Sequence, residues 1–374
     1  FAQMLSDFGA ATATAAGLAC VALLLLRSQR RRPRRDDSVA SNALDLIGNT
    51  PLLELPSLSA ATGCRVLAKA EFLNPGGSAK DRVAAAIVAE AEAAGALREG
   101  GTVVEATAGS TGISLALVCA AKGYRCHLVA ADDVSPQKRE LITALGATLE
   151  LVRPAAIADA AHPVNVARAR AAALGDGSIF ADQFENLANT RAHEAGTAAE
   201  IWAQTRGTVD AFVMGAGTGG TLAGVSRTLK RRKPSVRVFL ADPPGSALFH
   251  RVEHGVLYAP QQQERTARRN RYDTIMEGVG CDRLTANFAA ARIDAAFRVS
   301  DEESCAMARR LLRDEGLFVG GSAAMNCVGV LRAAEVLPPG STIVTVLCDG
   351  GQRYLHSVWR EERRREGESC AQCG

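Results

Sequence analysis

Asn74-Pro-Gly-Gly-Ser-Ala-Lys80-Asp81-Arg82 is the stretch on which the reading of this chain turns. A Pro-Gly-Gly turn hands over to an Ala-rich run, Asp81 to Ala94, whose apolar positions are spaced for one buried helical face. Lys80 therefore stands at a helix start, among backbone N–H donors and the positive end of the helix dipole. Its ammonium form is disfavoured there, and a lysine with a depressed pKa is what a Schiff base needs. Taken alone, a lysine is ordinarily a surface residue. Its neighbours along the chain have to carry the argument.

Outward from that segment, short β-like runs alternate with helical ones. Strands are predicted at Val66 to Ala70, Thr102 to Glu105, Cys126 to Ala130, Ala211 to Met214, Val236 to Leu240 and Thr342 to Leu347. Helices are predicted at Asp81 to Ala94, Ile113 to Ala121, Gln137 to Leu145 and after Gly220. This alternation indicates a mostly parallel sheet with helices on both faces. No internal repeat is evident. Order is expected to begin near Leu44.

Three glycine-rich segments each follow a strand and precede a helix: Thr107 to Gly112, Gly215 to Thr221, and Gly320 to Ala324. Such junctions offer unpaired backbone N–H groups and a positive helix end, which suit anions. Gly217-Thr218-Gly219-Gly220-Thr221 is the best phosphate cradle, because its glycines let the backbone wrap closely and two hydroxyls add donors. A nucleotide enzyme is the rival reading. The dinucleotide fingerprint belongs in the first βα turn, with an acidic residue about twenty positions on; here Gly215-Ala-Gly217 matches loosely and late. A Gly-Lys-Ser/Thr P-loop is absent.

The chain has 374 residues, long enough for two domains, and a formal net charge of +3, which argues against a general nucleic-acid binder. The basic runs Lys230 to Lys233, Arg265 to Arg271 and Arg360 to Arg365 read as solvated helix ends or loops, without interleaved stacking aromatics. Most of the 10 cysteines stand singly in apolar runs, as at Cys20, Cys119 and Cys305, and read as reduced, buried thiols. Cys370 and Cys373 form a CxxC with no second ligand pair nearby, open to reading as a redox pair, half a metal site or an incidental exposed pair. No metal is called for.

The first residue is Phe, as expected of a processed or truncated form. Phe8 to Leu26 is an apolar stretch of about nineteen residues, followed at once by Arg27, Arg30, Arg31, Arg32, Arg34 and Arg35. Its length nearly spans a bilayer. Charges placed after the apolar run argue against a secretory signal and would put the body on the cytosolic side. A membrane signal-anchor is the leading expectation; a transit peptide for mitochondrial or plastid import and a buried core helix are the alternatives.

The Lys80 segment closely resembles the Schiff-base segment of the cysteine synthase and cystathionine β-synthase family, the type II pyridoxal-phosphate (PLP) fold, tryptophan synthase β-like. Ile47-Gly-Asn-Thr-Pro-Leu52 resembles the family's opening strand, and Gln183-Phe-Glu-Asn-Leu-Ala-Asn189, with His193, its Gln-(Tyr/Phe)-x-Asn segment. Gly217 to Thr221, Glu277-Gly-Val-Gly280 and Gly320-Gly-Ser322 match in order and spacing. The likeness spans about Leu44 to Leu355.

The resemblance implies an α/β fold of two domains, each a mostly parallel twisted sheet flanked by helices. Residues 44–85 with 193–358 would form a large PLP-binding domain and 86–192 a small substrate-binding one. Residues 1–43 would be anchor and linker, and 359–374 a charged tail. Lys80 would form the Schiff base and, once freed, act as the base at Cα. Gly217, Thr218, Gly219, Gly220 and Thr221 would hold the phosphate. Ser110 would meet the cofactor ring, and Ser322 would face the ring nitrogen. A neutral hydroxyl there does not force protonation, which suits β-elimination over transamination. Thr107, Ala108, Gly109, Thr111, Gly112 and Gln183 would grip the substrate carboxylate.

One departure matters. The family loop usually reads Thr-Ser-Gly-Asn-Thr-Gly, whereas Ala108 and Ser110 replace the Ser and Asn here. This Thr-Ala-Gly-Ser-Thr-Gly form resembles the fungal and algal cysteine synthase 2 branch, as the N-terminal segment resembles that branch's association with mitochondria. With no haem-binding extension and no long regulatory tail in this sequence, the expected match is an unregulated synthase: O-acetylserine plus sulfide to L-cysteine and acetate. Alternatives are PLP-dependent serine or threonine deamination, cysteine desulfuration, or a membrane-tethered PLP protein with weak catalysis and a binding role. A homodimer, anchored in the mitochondrial outer membrane facing the cytosol, completes the expectation.

Overall fold

A computed structural model describes residues 39–259 and 274–360. Its strands in chain order are β1 (Leu52–Glu54), β2 (Arg65–Ala70), β3 (Thr102–Ala106), β4 (Arg125–Ala131), β5 (Thr148–Val152), β6 (Ile179–Phe180), β7 (Ala211–Gly215), β8 (Arg237–Asp242), β9 (Ala295–Arg298) and β10 (Thr342–Leu347). They form two sheets, one ordered β1-β2-β10-β7-β8-β9 and the other β5-β4-β3-β6. Every pairing of these strands is parallel except β1 on β2. Five helices position the site: α1 (Lys80–Ala93), α2 (Ser110–Lys122), α3 (Gly220–Arg232), α4 (Asp301–Glu315) and α5 (Gly321–Glu335).

The inner strands β2, β10, β7 and β8 are apolar and buried along nearly their whole length, as parallel strands covered on both faces must be. Alternation sends neighbouring residues to opposite faces. Val213, Phe239 and Ile343 pack with Ala323, Cys327 and Val330 of α5 and Leu311 of α4. Phe212, Val238 and Val344 pack with Leu222, Val225 and Leu229 of α3. In the smaller sheet, Val103 and Leu128 meet Val83 and Ile87 of α1 and Leu115 of α2, while Val104 and Val129 meet Ala167 and Ala171. Each fully buried Val, Leu or Phe contributes about 1.5–3 kcal/mol. The two-domain α/β architecture expected from the sequence is thus present.

The predicted inner strands appear with shifts of one or two residues; the edges differ. Ile47 to Leu52 is not a strand. Gly48 (φ +87°) and Asn49 (φ +44°) are left-handed, and the strand begins only at Leu52. The turn serves as a tie instead: the Gly48 N–H donates to Asn74 Oδ1 at 2.8 Å and the Asn49 N–H to Glu200 Oε1 at 3.1 Å. Strands β5, β6 and β9 lie outside the sequence expectation altogether.

The run Lys230 to Lys233 closes α3, with Lys230 on Asp294 and Lys233 on Asp210, as a solvated helix end should be. Cys119 and Cys305 are buried and not in disulfides. Arg265 to Arg271, Glu361 to Arg365, Cys370, Cys373, Cys20 and Phe8 to Leu26 lie outside the described residues. Among the described residues no helix is long and apolar enough to cross a membrane.

Candidate active site

The Lys80 segment is held from both sides. Asp81, buried, accepts from the Gly76 N–H at 2.5 Å and from Ser114 Oγ at 2.5 Å. A Cβ on Gly76 would lie 2.3 Å from Asp81 Oδ1, so only glycine fits. Arg82 enters a buried ionic network. Its Nε and Nη2 donate to Glu71 at 2.8 Å, its Nη1 reaches Glu200 at 2.6 Å, and Lys69 meets Glu200 at 2.5 Å. These partners hold Arg82 above its ordinary pKa and bring Glu200 down to about 2, against the cost of burial. The Ala79 N–H donates to Cys348 O at 3.0 Å, fastening the segment to the end of β10.

Lys80 itself opens α1, and its N–H donates to Ser78 Oγ at 3.2 Å. Its Nζ has no hydrogen bond or ion pair among the described residues. Desolvation lowers its pKa, opposed by the nearby Cys348 and Asp349. The physical cause is desolvation, not the helix start invoked from the sequence.

The Gly217–Thr221 loop leaves β7 and enters α3. Gly219 has φ +87°, and a Cβ there would sit 2.5 Å from Phe288 Cα; at Gly217 it would meet Gly278 O at 2.3 Å, and at Gly220 Asn189 Oδ1 at 2.0 Å. The loop is therefore a cradle walled by the Glu277–Gly280 turn, Phe288 and Asn189. Thr218 Oγ1 accepts from Asn189 Nδ2 at 2.9 Å. Thr221 Oγ1 pairs with His193 Nε2 at 3.0 Å, and His193 Nδ1 with Thr197 Oγ1 at 2.9 Å. Burial, then the charges of Arg82 and Lys80, keep His193 neutral, well below its usual pKa. Lys80 and the cradle thus feel one another through His193.

Ser322 lies in the first turn of α5, buried, and interacts with the Cys348 thiol, which donates to Val346 O at 3.8 Å. Burial and Asp349 push that thiol up to about 11, so it is neutral. Asn326 joins the strand ends: its Oδ1 accepts from the Gly215 N–H at 2.7 Å and its Nδ2 donates to Val346 O at 2.8 Å. Asp349 accepts from Tyr354 OH at 2.5 Å and from Ser110 Oγ at 3.4 Å, leaving Oδ1 buried without a partner among the described residues. Burial raises its pKa. Arg353 Nη1 donates to Ser110 Oγ at 2.8 Å.

The Thr107–Gly112 loop leaves β3, and α2 begins at Ser110 behind Gly109, with no side-chain cap. Thr111 Oγ1 donates to Gln183 Oε1 at 2.5 Å. Gln183 O accepts from Asn189 Nδ2 at 3.0 Å and Asn287 Nδ2 at 3.2 Å, so Asn189 bridges this pair to Thr218. Thr107 Oγ1 turns back to the Gly109 N–H at 3.1 Å, and Ala108 packs on the apolar cluster beneath. Gly112 is closely packed: a Cβ would meet Leu128 Cδ1 at 2.9 Å.

Lys80, Ser322, Thr221 and Ser110 are therefore linked through Cys348, His193 and Asp349, and the Thr111–Gln183 pair joins the cradle through Asn189. Sequence reasoning missed Asn189, Cys348, Asp349 and Arg353 as members of this constellation. Asp349-Gly-Gly-Gln-Arg-Tyr354 carries no role in the sequence reading, although a polar run directly after a buried strand is a signal that was available.

Residues 43–349 match the family model described as "Pyridoxal-phosphate dependent enzyme". The chain is 48% identical over 347 residues to "Cysteine synthase 2" of Schizosaccharomyces pombe, covering 90% of this chain and 88% of the relative. It is 48% identical over 329 residues to the "Putative mitochondrial cysteine synthase" of Saccharomyces cerevisiae, covering 85% and 84%. Among solved structures it is similar to an O-acetylserine dependent cystathionine beta-synthase from Helicobacter pylori, with TM-score 0.74, 31% identity and coverage of 86% and 98%. A partly buried, desolvated lysine without a partner among the described residues, a glycine cradle at a helix start and these likenesses lead to one conclusion: the chain belongs to the pyridoxal-phosphate dependent enzyme family.

Proposed function

We propose that this chain is a cysteine synthase, carrying out PLP-dependent β-replacement on O-acetylserine. The C–O bond to acetate breaks, acetate leaves with its electron pair, and hydrosulfide forms the new C–S bond of L-cysteine. The observation that carries this reading is Lys80: a partly buried lysine whose amine is desolvated enough to lower its pKa, without a partner among the described residues, and tied to Ser322 through Cys348 and to Thr221 through His193. The names of the relatives support the substrate.

The residues present fit the cofactor. The three glycines let the loop backbone pack directly on Gly278, Phe288 and Asn189, where no side chain fits, and the helix start that follows favours a phosphate dianion. When bound, pyridoxal phosphate supplies an electron sink for charge developing at Cα. Lys80 Nζ would hold the cofactor covalently and, once freed by the substrate amine, would take the Cα proton. Gly217, Thr218, Gly219, Gly220 and Thr221 bind the phosphate, with neutral His193 fixing the Thr221 hydroxyl. Ser322 would face the cofactor's ring nitrogen as a neutral group, and the neutral Cys348 thiol near it would add no charge. Thr107, Ala108, Gly109, Thr111 and Gly112 with Gln183 hold the substrate carboxylate, and Ser110, steadied by Arg353, faces the ring.

Full-length protein mixed with O-acetylserine should change its cofactor absorbance, and sulfide should restore it with release of L-cysteine. No change with any β-substituted serine would overturn the proposal. Ala108 on its apolar cluster and Ser110 committed to Arg353 motivate a second reading, deamination of serine or threonine or desulfuration of cysteine. Ammonia and a keto acid released without a thiol acceptor would favour it.

We also propose residues 44–85 with 193–358 as the cofactor domain, 86–192 as the substrate domain, and a homodimer as the working form. The apolar run Phe8 to Leu26 and its trailing arginines are proposed to anchor the chain in the mitochondrial outer membrane, with organelle import as the alternative; the yeast relative's name supports mitochondria. Release of the full-length protein by alkaline carbonate would refute the anchor.

A further inference from the structure

Glu105 closes β3 beneath the Thr107–Gly112 loop, 1% exposed. Oε1 accepts from the Ala106 N–H at 2.8 Å and Oε2 from the Gln183 N–H at 3.0 Å. The Gln183 side chain also interacts with this carboxylate. An ionised carboxylate only accepts, so it must draw the Gln183 Nε2–H₂ group toward itself. The Oε1 end then faces Thr111, whose hydroxyl is committed as a donor to it at 2.5 Å. In this arrangement the Thr111 hydroxyl has no proton left for a ligand.

We propose that Glu105 is a positioning residue for the amino-acid substrate, taking up a proton from solvent as the substrate carboxylate arrives and turning the Gln183 amide. A protonated Glu105 donates, so Gln183 presents Oε1 to it and Nε2–H₂ to Thr111. Thr111 then accepts from Gln183, and its own O–H is released to the substrate carboxylate. Removing the negative charge beneath the loop favours the incoming anion in the same direction. The proposal rests on the reading that Thr111 and Gln183 hold the substrate carboxylate.

Other groups near Glu105 agree with this. Asp182, preceding Gln183, and Cys126 on β4 are the titratable groups that interact with it across its packed surroundings. Burial, opposed by the two N–H donors and reinforced by Asp182, brings Glu105 up to about 7, while the Cys126 thiol is raised and neutral. Lys80, Cys348 and Asp349 interact with one another, and comparison with a Glu105 variant removes their contribution.

The test uses full-length protein loaded with pyridoxal phosphate and L-alanine, an amino acid without a β leaving group. Affinity is read from cofactor absorbance, and proton uptake from calorimetry in buffers of different ionisation enthalpy. If only protonated Glu105 is competent, the ratio of wild-type affinity to that of Glu105→Gln falls about tenfold between pH 6 and pH 8. Uptake near pH 7 is present in the wild type and lost in Glu105→Gln, with cofactor content unchanged in both. Glu105→Asp keeps an ionisable group, so it retains uptake at a displaced midpoint. Equal uptake in wild type and Glu105→Gln, or a ratio that is flat or rises with pH, overturns the proposal. Should Glu105→Gln not fold, a Glu105→Asp midpoint identical to the wild type's overturns it alone. A wild type that responds to neither L-alanine nor O-acetylserine fails the proposed function instead.

Discussion

Lys80 Nζ lies near the Cys348 thiol and the Asp349 carboxyl, and burial outweighs both in setting its charge. Replacing it with Ala should leave the fold and the cradle intact, since its neighbours Asp81 and Arg82 make the structural bonds. Turnover with O-acetylserine should fall by about 10²–10⁴-fold, the usual contribution of a positioned acid–base group, and further where the covalent link is lost. Steady-state kinetics beside a cofactor-content assay would check this. The sequence made Lys80 readable because turn, lysine and helix are contiguous. Glu105 and Gln183 stand 78 positions apart, and Ser110 and Asp349 are 239 apart. No local pattern announces a hydrogen bond across such distances. His193 was noticed as part of a matching segment, but its tie to Thr221 needed coordinates.

The cradle shows how an element carries function. Gly219 combines φ +87° with backbone 2.5 Å from any Cβ, so Ala there is strained and obstructed at once. Gly219→Ala is expected to destabilise the protein by more than about 1 kcal/mol and to release the cofactor on dialysis. Thermal melting and absorbance after dialysis would measure both, and retained cofactor would speak against the cradle. Legibility followed position in the sheet. Strands β2, β7, β8 and β10 are inner, buried on both faces and written as apolar runs, and the sequence yielded each of them. The misplaced or missed strands β1, β5, β6 and β9 are all sheet edges. Their half-exposed residues carry no such run, as in Thr148-Leu-Glu-Leu-Val152. Helix α4 also escaped notice, although Ser300 and Glu303 spell the capping box that starts it.

At the scale of the whole molecule, the chemistry gathers at the carboxyl ends of β3, β7 and β10, where open parallel sheets hold their ligands. Buried carboxyls away from that site tax stability. Asp242 is buried, its Oδ1 has no partner among the described residues, and burial brings it up to about 7 from 3.8. The unfolded chain loses this proton near pH 3.8 and the folded one only near 7, so Asp242 costs stability increasingly as pH rises through that window. Asp242→Asn should therefore gain on the wild type by a few kcal/mol more at pH 8 than at pH 4, measured by urea unfolding at each pH. A gap independent of pH would show that Asp242 ionises normally. The account's central claim, that Lys80 carries the cofactor, is tested most directly by reducing the full-length holoenzyme with borohydride and mapping the pyridoxyl group by peptide mass spectrometry. The predicted result is a single adduct on the peptide bearing Lys80. An adduct on Lys69 or any other lysine, with Lys80 unmodified, would contradict it.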